Sequence, residues 1–181
     1  MPNSSRDIDI LCLGLNSTDT LIRLPGFPAL DSKMPILSSA ILPGGQAASS
    51  AVACHRWGLR ARYAGKVGDD WSGRFQREQM AQEGVESHWI EVPGCPSQTA
   101  YILIDEPSGE RTVLWQHDPR IGLINEDLPR DWIAQARLLH VDGHPPGPAA
   151  LAARLAHQAG AIVTADLDNL YPGVEGLLAS V

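Results

Sequence analysis

Residues 8–19, IDILCLGLNSTD, decide how the rest of the chain is read. The first eight form a short, nearly continuous apolar run, the pattern of a strand buried on both faces. A polar stretch follows, from Asn16 to Asp19. In open α/β sheets, ligands bind beyond the carboxyl ends of strands. Asp19 therefore falls where a carboxylate can accept hydrogen bonds from two neighbouring hydroxyls. Taken alone, the same residue reads as a loop Asx-turn.

Outward from this point, residues 20–24 and 34–42 are short extended segments on either side of PGFPALDSK. They read as a hairpin-like appendage rather than part of the main core. An Ala-rich helix is expected over 46–57. It opens after Pro43-Gly44-Gly45 and stops at Gly58, a good C′ residue. Glycines before a helix let a ligand approach the backbone, and the helix N-terminus offers free amides to a sugar hydroxyl or a phosphate. By itself, Gly-Gly before a helix is a tight turn. Neither GxxxxGK[ST] nor GxGxxG is present.

Further strands are expected at 61–67, 88–92, 99–105, 112–116, 138–142 and 161–166. The turn EPSGER joins the third and fourth of these. Helices are expected from Asp69 or Asp70 to Gly84, around 126–136, and over 148–159. Helices alternating with short apolar strands mean α/β with a largely parallel sheet. The last segment, YPGVEGLLASV, starts another helix. Truncation is the expected reason, ahead of a short terminal helix docked on the sheet.

A net charge of −7 and a pI near 5.2 argue against nucleic acid as a partner. Arg60, Arg62 and Lys66 read as solvated charge around a strand. Cys12, Cys54 and Cys95 show no ligand spacing and imply reduced thiols in a cytoplasm. No apolar run has transmembrane length, and the N-terminus lacks the cationic start of a signal peptide. The sequons at Asn3 and Asn16 are therefore read as chance matches. His140 and His144 are four apart, but Pro145 and Pro146 rule out a helical zinc face. Asp166 and Asp168 read as a turn or helix cap rather than magnesium ligands. No G-x-S-x-G elbow occurs. Four of the five tryptophans, Trp57, Trp71, Trp89 and Trp132, are assigned to the core. Trp115 is set apart as suited to stacking on a sugar or base.

The whole set resembles the N-terminal portion of the ribokinase-like (PfkB) carbohydrate kinase family. Gly14 and Asp19 stand at the family's early Gly and Asp, and 20–42 at its lid. Gly44-Gly45 opens the helix carrying Ala47, Ala51 and Ala53, and Gly58 ends it. Lys66-Val67-Gly68-Asp69-Asp70-Trp71-Ser72-Gly73 is similar to the "VGxDxxG" turn. Gly109-Glu110-Arg111-Thr112 and Asp166-Leu167-Asp168-Asn169 match two later patterns. One departure is Ser49, where the family usually has Asn.

The resemblance implies a doubly wound, mostly parallel sheet flanked by helices, with a small β lid. It implies ATP-dependent phosphorylation of a sugar hydroxyl, with Asp19, Gly44, Gly45, Ser49 and Asp142 as substrate-binding residues. The alternatives are a nucleoside kinase of the same superfamily or a non-catalytic sugar-binding remnant. The family's Gly-Ala-Gly-Asp base motif does not occur in the sequence. Residues 1–181 are thus expected to be the sugar-binding part, inactive alone. ATP and Mg²⁺ are implied for a full-length parent, in a C-terminal part absent here. Relatives pair through their lids, which makes a homodimer a further expectation.

Overall fold

The computed structural model describes residues 6–181. Among the described residues, nine strands form two sheets. The larger is fully parallel, in the order β5 (Glu86–Val92), β4 (Ala61–Gly68), β1 (Ile8–Leu13), β8 (Ala136–Val141) and β9 (Ile162–Ala165). The smaller runs β3 (Ser38–Gly44), β2 (Ser17–Leu24), β6 (Thr99–Asp105) and β7 (Arg111–Gln116).

Strand β1 is central because its apolar run serves both faces at once. Leu11 and Leu13 join Ala149, Ala152, Ala153 and Ala156 of helix α4 (Pro146–Gln158). Ile10 and Cys12 face Ala47 and Ala51 of α1 (Gln46–Arg56). Alanine at these helix positions lets the backbone pack close to the sheet, and the layer order is doubly wound as expected. Helix α2 (Trp71–Gln82) is capped by Asp70, whose carboxylate accepts from the Gly73 amide at 2.8 Å and from Ser97. That resolves the alternative with Asp69. Short α3 (Arg130–Gln135) lies beside α4, and α5 (Glu175–Leu178) inserts Leu177 into the same core. No helix among the described residues is long and apolar enough to cross a membrane.

Several expectations change. The hairpin of 20–24 and 34–42 is only the outer half of the smaller sheet. Strand β2 pairs antiparallel with β3 on one side and parallel with β6 on the other, so β6 and β7 leave the main layer. An isolated two-stranded ribbon is marginal in water, and the two added strands supply what it lacks. The helix expected at 126–136 is divided: a 3₁₀ turn at Asn125–Asp127, then α3 after Pro129, which begins the helix anew. Trp57 is 81% exposed, and exposed Trp71 stacks on Phe75 rather than entering the core. Trp89 does pack inward, against Tyr63. The sequon at Asn16 is buried, while Asn3 lies outside the described residues.

Lys66 is not solvated charge. Its ammonium is buried, 2.6 Å from Asp127 and 3.3 Å from the Gly122 carbonyl. Breaking a buried pair from one side leaves an uncompensated charge. Asp127→Ala is therefore expected to lower the unfolding free energy by about 3–5 kcal/mol, and Lys66→Met by less. Urea denaturation of both variants measures this; negligible losses in both would mean the pair is solvated.

Candidate functional site

The two sheets meet where β1 turns into β2, and glycines let the chain close up there. Gly14 has φ +147°, and a Cβ on it would collide with the Asp142 carboxylate. Asp142 is completely buried just past the end of β8. The Leu15 amide donates to its Oδ2 at 2.5 Å and the His144 amide to its Oδ1 at 3.1 Å. Burial pushes its carboxyl up to about 6, against the opposing pull of the Leu15, His144 and Ala47 amides. The Tyr63 hydroxyl donates to the Gly14 carbonyl and accepts from Asn16 Nδ2, both at 2.7 Å.

The start of α1 is pressed onto this turn. A Cβ on Gly45, φ +96°, would strike the Asn16 backbone. The Ala48 amide donates to the Leu15 carbonyl at 3.2 Å. Gly44 stands against Asp19, with no room between them for a Cβ. The Asp19 Oδ1 is thereby buried with no hydrogen-bond partner. Burial raises its carboxyl above the ordinary carboxylate value, and the nearby Ser17 hydroxyl, though outside hydrogen-bonding geometry, acts the other way.

Above Asp19 opens a cleft of about 760 Å³ between α1 and the inner face of the smaller sheet. Asp19, Gly45, Gln46 and Ser49 form its floor. Strands alternate their side chains, so Ala100 and Ile102 of β6 and Arg111, Val113 and Trp115 of β7 form the facing wall. Trp115 is 66% exposed into this space. At one end, the Tyr171 hydroxyl donates to Asp168 at 3.1 Å, and His144 Nε2 lies 3.2 Å from the same oxygen. His117 Nδ1 donates to Gln98 Oε1 at 2.8 Å, and burial lowers its pKa below that of an ordinary histidine.

Of the five residues singled out from sequence, Asp19, Gly45 and Ser49 line the cleft and Gly44 backs Asp19. Asp142 is the exception. It lies behind the floor, its oxygens taken by backbone amides, and holds the turn in place. The wall formed by β6 and β7 escaped sequence reasoning, Trp115 apart. The period-two rows 98, 100, 102 and 111, 113, 115, 117 carry the signal, but it is usable only once both strands are known to pair with β2. The cluster of His144, Asp168 and Tyr171 comes from two loops and leaves no local spacing to find.

Residues 9–176 match the family described as pfkB family carbohydrate kinase. Among curated proteins, the chain is 30% identical over 161 residues to the ATP-dependent ribose-1-phosphate kinase of Halopiger xanaduensis, covering 88% of this chain and 54% of the relative. It is 28% identical over 163 residues to the nucleoside kinase of Methanothermobacter thermautotrophicus, covering 90% and 52%. The chain thus spans about half the length of these relatives. Among solved structures, the ribokinase of Giardia lamblia superposes with a TM-score of 0.83 at 20% identity, over 96% of this chain and 56% of that one. At that identity the likeness speaks for the fold.

The contact between Gly44 and Asp19 is open to direct test. A methyl group on Gly44 must displace the Asp19 carboxylate, because the obstructing atoms are the end of a side chain. In Gly44→Ala, the Asp19 carboxyl pKa is expected to fall back towards the ordinary range, with the circular dichroism unchanged. A carbon-detected NMR titration reads this, and an unaltered pKa would show that Gly44 does not hold Asp19 in its buried position.

Proposed function

The chain belongs to the pfkB family of carbohydrate kinases, and on that premise we propose that its cleft captures a sugar whose hydroxyl is phosphorylated at the expense of ATP. The observation that carries this is the Asp19 carboxylate on the floor of the cleft, whose Oδ1 finds no partner within the protein. An unsatisfied buried acceptor is costly, and two adjacent hydroxyls relieve it. The start of α1 at Gly45 and Gln46 supplies amides beside that carboxylate. Ser49, exposed on the same floor, reaches less far than an amide side chain would. Trp115 offers a flat apolar face to the C–H side of a sugar ring.

The smaller sheet acts as a cover that keeps water from the reacting hydroxyl. Its outer face carries an exposed apolar row, Ile41, Tyr101 and Leu114, in register across three of the strands. This row supports pairing of two copies through the cover. Family kinases take the phosphoryl group from ATP with a divalent metal. The described residues do not fit that nucleotide. The Asp142 carboxylate sits against the first turn of α1, where a phosphate would otherwise lie, and the Asp19 carboxylate stands beside it. Among the described residues, no group of three or more His, Cys, Asp or Glu converges. What these residues do is bind and orient the sugar, which is the larger part of phosphoryl-transfer catalysis. We place the protein in the cytoplasm and expect these 181 residues alone to show no kinase activity.

A second reading is a nucleoside substrate. Trp115 and Tyr171 both line the cleft and could hold a base, and a relative matched over 90% of this chain is a nucleoside kinase. Calorimetry with ribose and with adenosine separates the two readings. For the preferred ligand, Asp19→Asn is expected to weaken binding about 10- to 100-fold, the range for hydrogen bonds to a charged acceptor. Because burial raises the Asp19 carboxyl, affinity should also begin to fall, on acidification, at a pH above that of an ordinary carboxylate. Unchanged affinity in the variant would remove Asp19 from the site.

A further inference from the structure

The inner face of the smaller sheet is ordered along its strands as well as across them. Register puts Asp19, Ala100 and Trp115 in one row, and Leu21, Ile102 and Val113 in the next same-face row. The row after that holds Arg23, Ile104 and Arg111. Trp115, Val113 and Arg111 therefore follow one another along the cleft wall. At about 3.3 Å per residue, the Cα atoms of Trp115 and Arg111 stand ~13 Å apart along β7. The long arginine side chain can close part of that gap.

Arg111 is the only arginine or lysine that lines the cleft. Among the described residues, its guanidinium has no ion-pair or hydrogen-bond partner. Arg23, in the same row, is different. It makes two hydrogen bonds to Glu106, at 3.1 and 2.9 Å, and so takes up that carboxylate. Of the two carboxylates lining the cleft, Asp168 is engaged by Tyr171 and His144, and Asp19 is tucked against Gly44 two rows away. An exposed arginine is ordinary on a protein surface. Here it stands on a cleft wall that is otherwise apolar and aromatic, on the same face as Trp115.

Resting on the sugar-binding reading of the cleft, we propose that Arg111 selects sugars that already carry an anionic group, a phosphate or a carboxylate. With hydroxyls at Asp19 and the ring on Trp115, a substituent directed along the wall passes Ile102 and Val113 and meets the guanidinium. The planar fork of arginine matches either anion through two parallel hydrogen bonds. The protein carries a net charge of −7, so an anion entering the cleft needs a local cation of this kind. The cleft, about 760 Å³, is in the range that accepts ligands larger than a bare pentose.

Calorimetry on the protein with matched sugars tests this: ribose 1-phosphate and ribose 5-phosphate against ribose, and glucuronate against glucose. At least one anion is expected to bind about five- to tenfold more tightly than its neutral counterpart, as suits one partly exposed charged contact. The phosphate and carboxylate arms show which anion is taken, and the advantage should shrink as salt is raised. In Arg111→Gln the ratio of anion to neutral affinity should fall to about one, and Arg111→Lys should restore part of it, a point charge without the fork. Arg111 is exposed on an edge strand, so both variants should keep the fold, which circular dichroism checks. If neutral sugars bind and no anion gains, or if the gain survives in Arg111→Gln, this proposal fails while the sugar-binding reading stands. If none of the five compounds binds, both fail.

Discussion

The Asp142 carboxylate, pressed against a glycine with no room for a Cβ, fixes the turn by which the chain passes from the main sheet to the smaller one. It sits at the end of β8 and receives amides from Leu15, at the end of β1, and from His144, while Ala47 of α1 contributes to the same charge. A carboxylate this deeply buried is costly unless amides surround it. Gly14 is what lets them do so. Once that knot is tied, the direction in which β2 leaves the main sheet is set, and so is the place where α1 begins. Gly45 and Gly44 then bring the helix and the edge strand against Asn16 and Asp19.

The arrangement places two carboxylates within one turn of chain and gives them opposite tasks. Asp142 is saturated by backbone donors and belongs to the scaffold. Asp19 keeps an oxygen free and faces a cleft. Burial raises the pKa of both, but only Asp19 can be relieved by a ligand. Arg111 apart, the facing wall is apolar and aromatic, suited to a molecule with one polar edge and one C–H face, as a furanose or a nucleoside has. Under the proposed function, that polar edge is a hydroxyl to be phosphorylated.

Much of this was legible in the sequence where the physics is local. A strand buried on both faces has to be an apolar run, and 8–15 is one. Glycine must stand where the backbone is crowded, so Gly44 and Gly45 could be singled out without coordinates. What could not be read is pairing at a distance. Nothing in 99–105 or 112–116 says that those strands leave the main sheet, because alternation looks the same in either layer. Asp142 was singled out as a sugar contact, but its place behind the floor depends on the Leu15 amide, 127 residues away. Lys66 looked like surface charge for the same reason: its partner, Asp127, lies in a 3₁₀ turn with no periodicity of its own. Tryptophan is a poor guide to burial where helix surfaces are concerned, as Trp57 and Trp71 show.

The central claim is that Asp19 is the sugar-holding group of the cleft. A crystal structure of the protein soaked with ribose tests it most directly. Two ribose hydroxyls should lie within hydrogen-bonding distance of the Asp19 carboxylate, with the ring against Trp115. Ribose bound elsewhere, or in the cleft with Asp19 untouched, would contradict the account.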